Sequence, residues 1–223
     1  MIVPDLIVRT RRRSMSLIVN DNGELIVRAP AKLSMDKIVK FVTEKEKWIL
    51  SKQKLVKNTY EVNNDILTYQ SALFLGKKYK IDKLNGVKKI EITNDSIICP
   101  PYIDEDKFKI KLTKWFIQMA SEILKNRLEY FANLLQLDYS SFKLSNSKNR
   151  WGSCDSLGNI KLNYRVVMLP HNFIDYIVIH ELTHLLYMNH SQEFYSSIEC
   201  VMPSYKLYKN KLKEYNYILG LFR

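Results

Sequence analysis

The chain has 223 residues, 46% of them hydrophobic and 12% aromatic, and a formal net charge of +12. This composition excludes a disordered chain and supplies apolar material for one large or two small domains. The positive balance admits nucleic acid, an acidic lipid surface or anionic substrates as partners. Richness in Lys, Ile, Asn and Tyr gives a merely soluble basic surface equal standing. The three cysteines, Cys99, Cys154 and Cys200, lie far apart without CxxC spacing, which argues against a disulfide framework and for a reducing compartment. The stretch MIVPDLIVRTRRR is too poor in apolar residues and too charged for a signal peptide, and no run reaches the length of a membrane span. A cytoplasmic protein with no membrane partner is expected.

Residues 6–30 read as a strand pair, turning at Asp21-Asn22-Gly23 and ended by Pro30. Arg11, Arg12 and Arg13 form the densest positive run, read as a solvated strand end with phosphate contact as the alternative. Ser34 caps a helix expected to run to about Lys57, with Ile38, Phe41, Val42, Trp48 and Ile49 on its apolar stripe. A hairpin follows over 67–83 with Gly76-Lys77 near its turn, then a strand pair over 87–98 around Asn94-Asp95. Pro100-Pro101 extends neither a ladder nor a helix and is the predicted boundary between a β-rich section, 1–100, and a mostly helical one, 101–223. The fold class is α+β.

Apolar residues at steps of three and four predict a long helix over 104–136, from Phe108 to Leu135. Its apolar face needs a partner. Two strands follow around a turn at Asp155 to Asn159; the second, 160–168, alternates Ile160, Leu162, Tyr164 and Val166 against Asn163 and Arg165. Pro170 ends that strand, and Asn172 is placed to cap a helix ending near Met188-Asn189. A short helix over Gln192–Cys200 and a basic one over Ser204–Leu219, separated by Pro203, complete the chain.

All four histidines lie between His171 and His190. His180 and His184, four apart in HELTH, share one helix face and can reach one ion, while Glu181 lies roughly 100° further round, where a base for the attacking water would stand. A catalytic zinc site needs three protein ligands and an open position. His190 is the third candidate, with Glu193 as the alternative, and His171 reads as an N-terminal helix residue. Imidazole ligands at this spacing favour zinc. The spacing HExxHxxxxxH equals that of the metzincins, but Tyr187 stands where those carry Gly.

RWGSC (Arg150 to Cys154), LNYR (Leu162 to Arg165) and DYIVIHELTHLLYMNHSQEF together resemble the YgjP-like metallopeptidase family, related to SprT-like proteins. The Arg-rich first strand, GELIVRAP, EKEKWI and LGKKYKI extend the resemblance over nearly the whole chain. It implies a compact zincin-like domain in which His180, His184 and His190 hold zinc and Glu181 activates a zinc-bound water. It assigns no role to Arg150 and Trp151. Strand 160–168, just before the active-site helix, is the candidate edge strand for an extended peptide, with Asn163 or Arg165 facing the substrate. Cys154 is expected to be neither nucleophile nor ligand. The leading expectation is a zinc metallopeptidase acting on peptides or proteins. The alternatives are a metal-dependent nucleotide pyrophosphatase, in which Arg150 and Arg165 hold phosphates, and a zincin acting on nucleic-acid-associated proteins. The absence of a Gly-rich phosphate loop favours the peptidase.

Overall fold

The computed structural model describes residues 2–20, 23–54, 56, 70–101 and 104–221. The expected turn residues Asp21 and Asn22, the end of the first helix at Lys57, and residues 67–69 of the hairpin lie outside these. Two units are present, Met1–Asn64 and Asp65–Arg223. In the first, β1 (Leu6–Thr10), β2 (Ser16–Val19) and β3 (Leu25–Pro30) form a sheet of order β1-β3-β2, with β1 parallel to β3 and β2 antiparallel to it. The arginine run is where β1 ends. Arg11 and Arg13 are exposed, and Arg12 donates to Ser16 Oγ at 2.8 Å. Leu25, Val27 and Ala29 of β3 alternate inward and pack with Ile38 and Val42 of α1 (Met35–Glu44) and with Ile49 of α2 (46–54). The expected single helix is therefore two, divided at Lys45 (φ −102°, ψ 9°). Trp48, expected on the buried stripe, is 42% exposed: it stands one residue, roughly 100° round the helix, from Ile49, which packs inward.

The second unit begins with a sheet of order β4-β5-β7-β6: β4 (Ser71–Phe74), β5 (Lys77–Lys83), β6 (Glu91–Ile92) and β7 (Ser96–Cys99). Leu75 and Gly76 join β4 to β5, both at positive φ (49° and 79°), the backbone of a tight two-residue hairpin. A Cβ at Gly76 would lie 2.7 Å from Pro170 Cγ, so this turn can pack closely only as glycine. The division between units falls at Asn64 and Asp65; Pro100-Pro101 instead joins β7 to α3 inside the second unit. The reason is tertiary. Leu75 N–H and Gly76 N–H donate to Val167 O and Met168 O at 2.7 and 3.2 Å, and the Phe74 ring lies 5.4 Å from Trp115. These contacts make the sheet part of the helical core.

α3 (Glu105–Leu135) matches its apolar periodicity, burying Phe108, Leu112, Phe116, Ala120, Leu124 and Leu128 completely. Each such large side chain contributes about 1.5–3 kcal/mol relative to exposure. Asp104 caps it, its carboxylate accepting from Asp106 N–H and Lys107 N–H. A second small sheet has the order β8-β10-β9: β8 (Ser141–Ser145), β9 (Gly152–Cys154) and β10 (Asn159–Asn163). The chain then enters a 3-10 helix, Tyr164–Met168, α4 (His171–Thr183), α5 (Gln192–Val201) and α6 (Tyr205–Lys211), ending in 3-10 turns over Leu212–Gly220. The expected strand 160–168 is thus half strand and half 3-10 helix. Burial on every side from Tyr164 to Leu169 removes the alternation that a one-faced strand would need. Among the described residues, no helix is long and apolar enough to cross a membrane.

Candidate metal centre

α4 is nearly all apolar between Asn172 and His180, and Ile174, Ile177, Val178 and Ile179 are buried. It packs on α3, to which it is tied where Arg127 Nε donates to Asp175 Oδ1 at 2.8 Å. Pro170, not Asn172, occupies the N-cap, and no side-chain cap bond forms. The helix also ends earlier than expected. Leu185 N–H donates to Leu182 O and Leu186 N–H to Thr183 O, three-residue bonds that tighten the last turn, so His184 is the C-cap. His171, at the other end, is exposed.

This ending brings the three candidate ligands together. One nitrogen from each of His180, His184 and His190 falls within 4.8 Å of the others, and no other described residue joins that cluster. Nε2 of His180 and Nε2 of His190 are 3.1 Å apart. Two imidazole nitrogens tetrahedrally bound to one zinc at ~2.05 Å would lie roughly 3.3 Å apart, so the donor set fits such an ion. His184 Nδ1 lies 3.0 Å from Tyr187 O, the outer hydrogen bond that orients a ligating imidazole and leaves its Nε2 for the ion. Burial holds His180 down to about 3, aided by His184, His190 and Lys209, so it is neutral and ready to ligate. Burial, His184 and Lys209 also lower His190. Glu193, the alternative ligand, is exposed at the start of α5, its carboxylate hydrogen-bonded to Ser191.

Phe194 was not singled out by spacing. It is fully buried on α5, and its ring centroid lies 4.9, 4.7 and 4.8 Å from those of His180, His184 and His190. It forms an apolar floor that all three imidazoles touch. Ser191 starts this helix, its Oγ accepting from Phe194 N–H, which places Phe194 one turn after His190.

Glu181 leaves α4 on the other side and is 6% exposed. Burial pushes its carboxyl up to about 8, opposed by the Arg150 guanidinium. Its Oε2 has no hydrogen-bond partner among the described residues, and neither does the buried Nδ1 of His180. Unpartnered buried polar atoms are costly and mark a place where another group completes the bonding. Glu181 lies directly against β9: a Cβ on Gly152 would come 2.6 Å from its Oε1 and 2.8 Å from its Cδ. The glycine of RWGSC is therefore required by the carboxylate. Beside them is a cavity of about 210 Å³, lined by Trp151, Gly152, Tyr176, Ile177, His180, Glu181 and Leu212. Trp151 is fixed in its wall by Nε1–H donation to Asn216 Oδ1 at 3.2 Å.

The other expected substrate residues divide. Arg150 is exposed beside the site. Asn163 and Arg165 are buried and do not face a substrate. Asn163 Nδ2 donates to Ser147 O and Arg150 O at 2.7 and 3.2 Å, and its N–H donates to Trp151 O. Arg165 donates to Leu221 O at 2.7 Å and to Asn146 Oδ1 at 2.6 Å. Both residues hold the 146–151 loop that presents Arg150, Trp151 and Gly152. The candidate edge strand is corrected as well. β10 is the middle strand, bonded to β8 and β9, and cannot accept a third. Cys154 is a poor nucleophile here: burial, then Glu181 and Asp155, push its thiol up to about 11.

Three imidazoles arranged for one ion, beside a buried carboxylate and an open cavity, supply the parts that metal-assisted hydrolysis requires. The YgjP-like, metallopeptidase domain family model matches residues 13–215, and the chain belongs to this family. Membership implies a metal ion and a hydrolase. No curated protein and no solved structure matches the chain.

Proposed function

We propose that this protein is a zinc-dependent peptidase of the zincin type, with the HExxH pair His180 and His184 and the third ligand His190 holding the ion and Glu181 as general base. The observation that carries the reading is the orphaned Oε2 of Glu181, buried on the helix turn that also carries His180. When bound, zinc lowers the pKa of water and polarises the scissile carbonyl. Glu181 Oε2 accepts the proton of the attacking water and returns it to the leaving amine. A cation held by the three imidazoles beside it would favour the ionised form of that carboxylate, which is the form that accepts the proton. Gly152 lets the carboxylate sit against β9, and Trp151 and Tyr176 line the adjoining cavity. β9 is an outer strand of its sheet, order β8-β10-β9, so an extended peptide has backbone groups to pair with next to Glu181.

The test uses zinc-loaded wild type and Glu181→Gln on casein and a quenched peptide library, with nucleoside triphosphates as a parallel substrate. Wild type should cleave peptides and leave triphosphates intact. Glu181→Gln should retain zinc and lose on the order of 10²–10⁴-fold in turnover. Cleavage of triphosphates without peptides would overturn the reading.

A further inference from the structure

A second cavity, of about 230 Å³, opens on the outer face of the β8-β10-β9 sheet and is lined by Ser145, Ser147, Arg150, Gly152, Ser153 and Lys161. Strand alternation builds it. Ile160 and Leu162 are fully buried on the inner face, so Lys161 between them projects outward, opposite Ser153 of β9. Ser145 closes β8 on the same face, in register with Asn163, two residues along from the Lys161 pair. The 146–151 loop, held from below by Asn163, brings Ser147 and Arg150 over the end of the strands.

The lining therefore holds two cations and three hydroxyls and no carboxylate. Neither Arg150 nor Lys161 forms an ion pair with a described residue. The acidic groups that feel them lie outside the lining. Glu181 senses Arg150 from across β9, and Asp155 senses Lys161 while being occupied by hydrogen bonds from Leu157 and Asn159. Gly152 lines both this cavity and the one at Glu181, which lie on the two faces of β9, so a ligand running along the outer edge of that strand passes both. We propose that this cavity is a substrate subsite for a carboxylate, with Arg150 and Lys161 as its charged partners. It makes the enzyme selective for peptides carrying an anionic group a short distance from the scissile bond. A planar guanidinium paired with a carboxylate gives the directional, charge-assisted bonds such selection needs. The inference rests on the peptidase reading. Two sources share this chemistry: an acidic side chain and a free C-terminus.

The test uses one internally quenched peptide pool in three forms: amidated without acidic residues, the same pool with a free C-terminal carboxylate, and amidated pools with Glu at successive positions around the cleavage site. Wild type should prefer one carboxylate-bearing form over the neutral amide by about tenfold or more in kcat/KM, mostly through KM. Which form wins identifies the source. That ratio should collapse toward one in Lys161→Met and in Arg150→Met, and should fall as salt rises. Lys161→Met separates the effect from any disturbance of Glu181, which Arg150 adjoins. Equal kcat/KM for all forms in wild type overturns the subsite and leaves the peptidase standing. A preference that survives both substitutions also overturns the subsite. No turnover of any form, with zinc bound, overturns the peptidase reading and the subsite with it.

Discussion

The two walls of the candidate centre are built in different ways. One wall is α4 and the start of α5, a stretch from His171 to Phe194 in which His180 and His184 meet because a helix repeats every 3.6 residues and His190 returns because α4 ends at His184. The other wall is β9 and the 146–151 loop, which have almost no regular structure of their own to hold them. That wall is positioned from elsewhere: Asn163 of β10, Arg165 of the 3-10 helix and Asn216 near the C-terminus each bond to it. The helix wall is thus assigned metal binding, and the strand wall the placement of Glu181 and substrate.

The comparison breaks most visibly in metal content. His190→Ala removes one of the three proposed ligands from the helix wall. Its zinc affinity should fall by more than the roughly 10–100-fold that loss of an outer partner costs. Metal analysis after dialysis against a weak chelator checks this; full stoichiometry retained would remove His190 from the ligand set. Gly152→Ala strikes the opposite wall. The added methyl, placed 2.6 Å from Glu181 Oε1, must displace the carboxylate or β9. Turnover should fall on the order of 10²-fold, comparable to loss of a general base, while zinc content stays that of wild type. Loss of zinc together with turnover would show that the walls are not separable.

Arg165→Met gives the smallest effect on chemistry and a clear one on stability. Leu221 O and Asn146 Oδ1 lose a charged donor inside the protein. Hydrogen bonds to charged groups contribute about 1.5–3 kcal/mol, so urea denaturation should show a loss of that order. Turnover should fall more than zinc affinity, since the loop carrying Trp151 and Gly152 loosens while α4 does not. Unchanged stability would remove Arg165 from the loop's support.

Much of the molecule was legible beforehand, and the reason is local. The long helix α3, the hairpin at Leu75-Gly76, the strand pair around Asn94-Asp95 and the helix beginning at Gln192 follow from periodicity, turn residues and capping. The clustering of His180 with His184 follows from their spacing alone. What failed depended on contacts across the chain. Trp48 and Ile49 are equally apolar neighbours roughly 100° apart on the helix, and only packing on β3 decides that Ile49 is the one that faces in. The boundary at Pro100-Pro101 was drawn from two residues that stop elements, whereas units are divided by packing, and the β4–β7 sheet packs with α3.

The sequence by itself therefore determined the α+β class, the helix that carries HELTH and the histidine pair that one helical turn brings to the same face. Only the tertiary structure decided the rest of the site. Asn163 and Arg165 looked like substrate contacts because polar residues alternating along a strand ordinarily face solvent. Asn163 ends the middle strand of its sheet beneath the 146–151 loop, and Arg165 lies in the buried 3-10 helix that follows, so both hold that loop instead. The glycine of RWGSC had no visible purpose until Glu181 was found against it. Strand order and close approach are properties of elements far apart in the chain, and no local pattern encodes them.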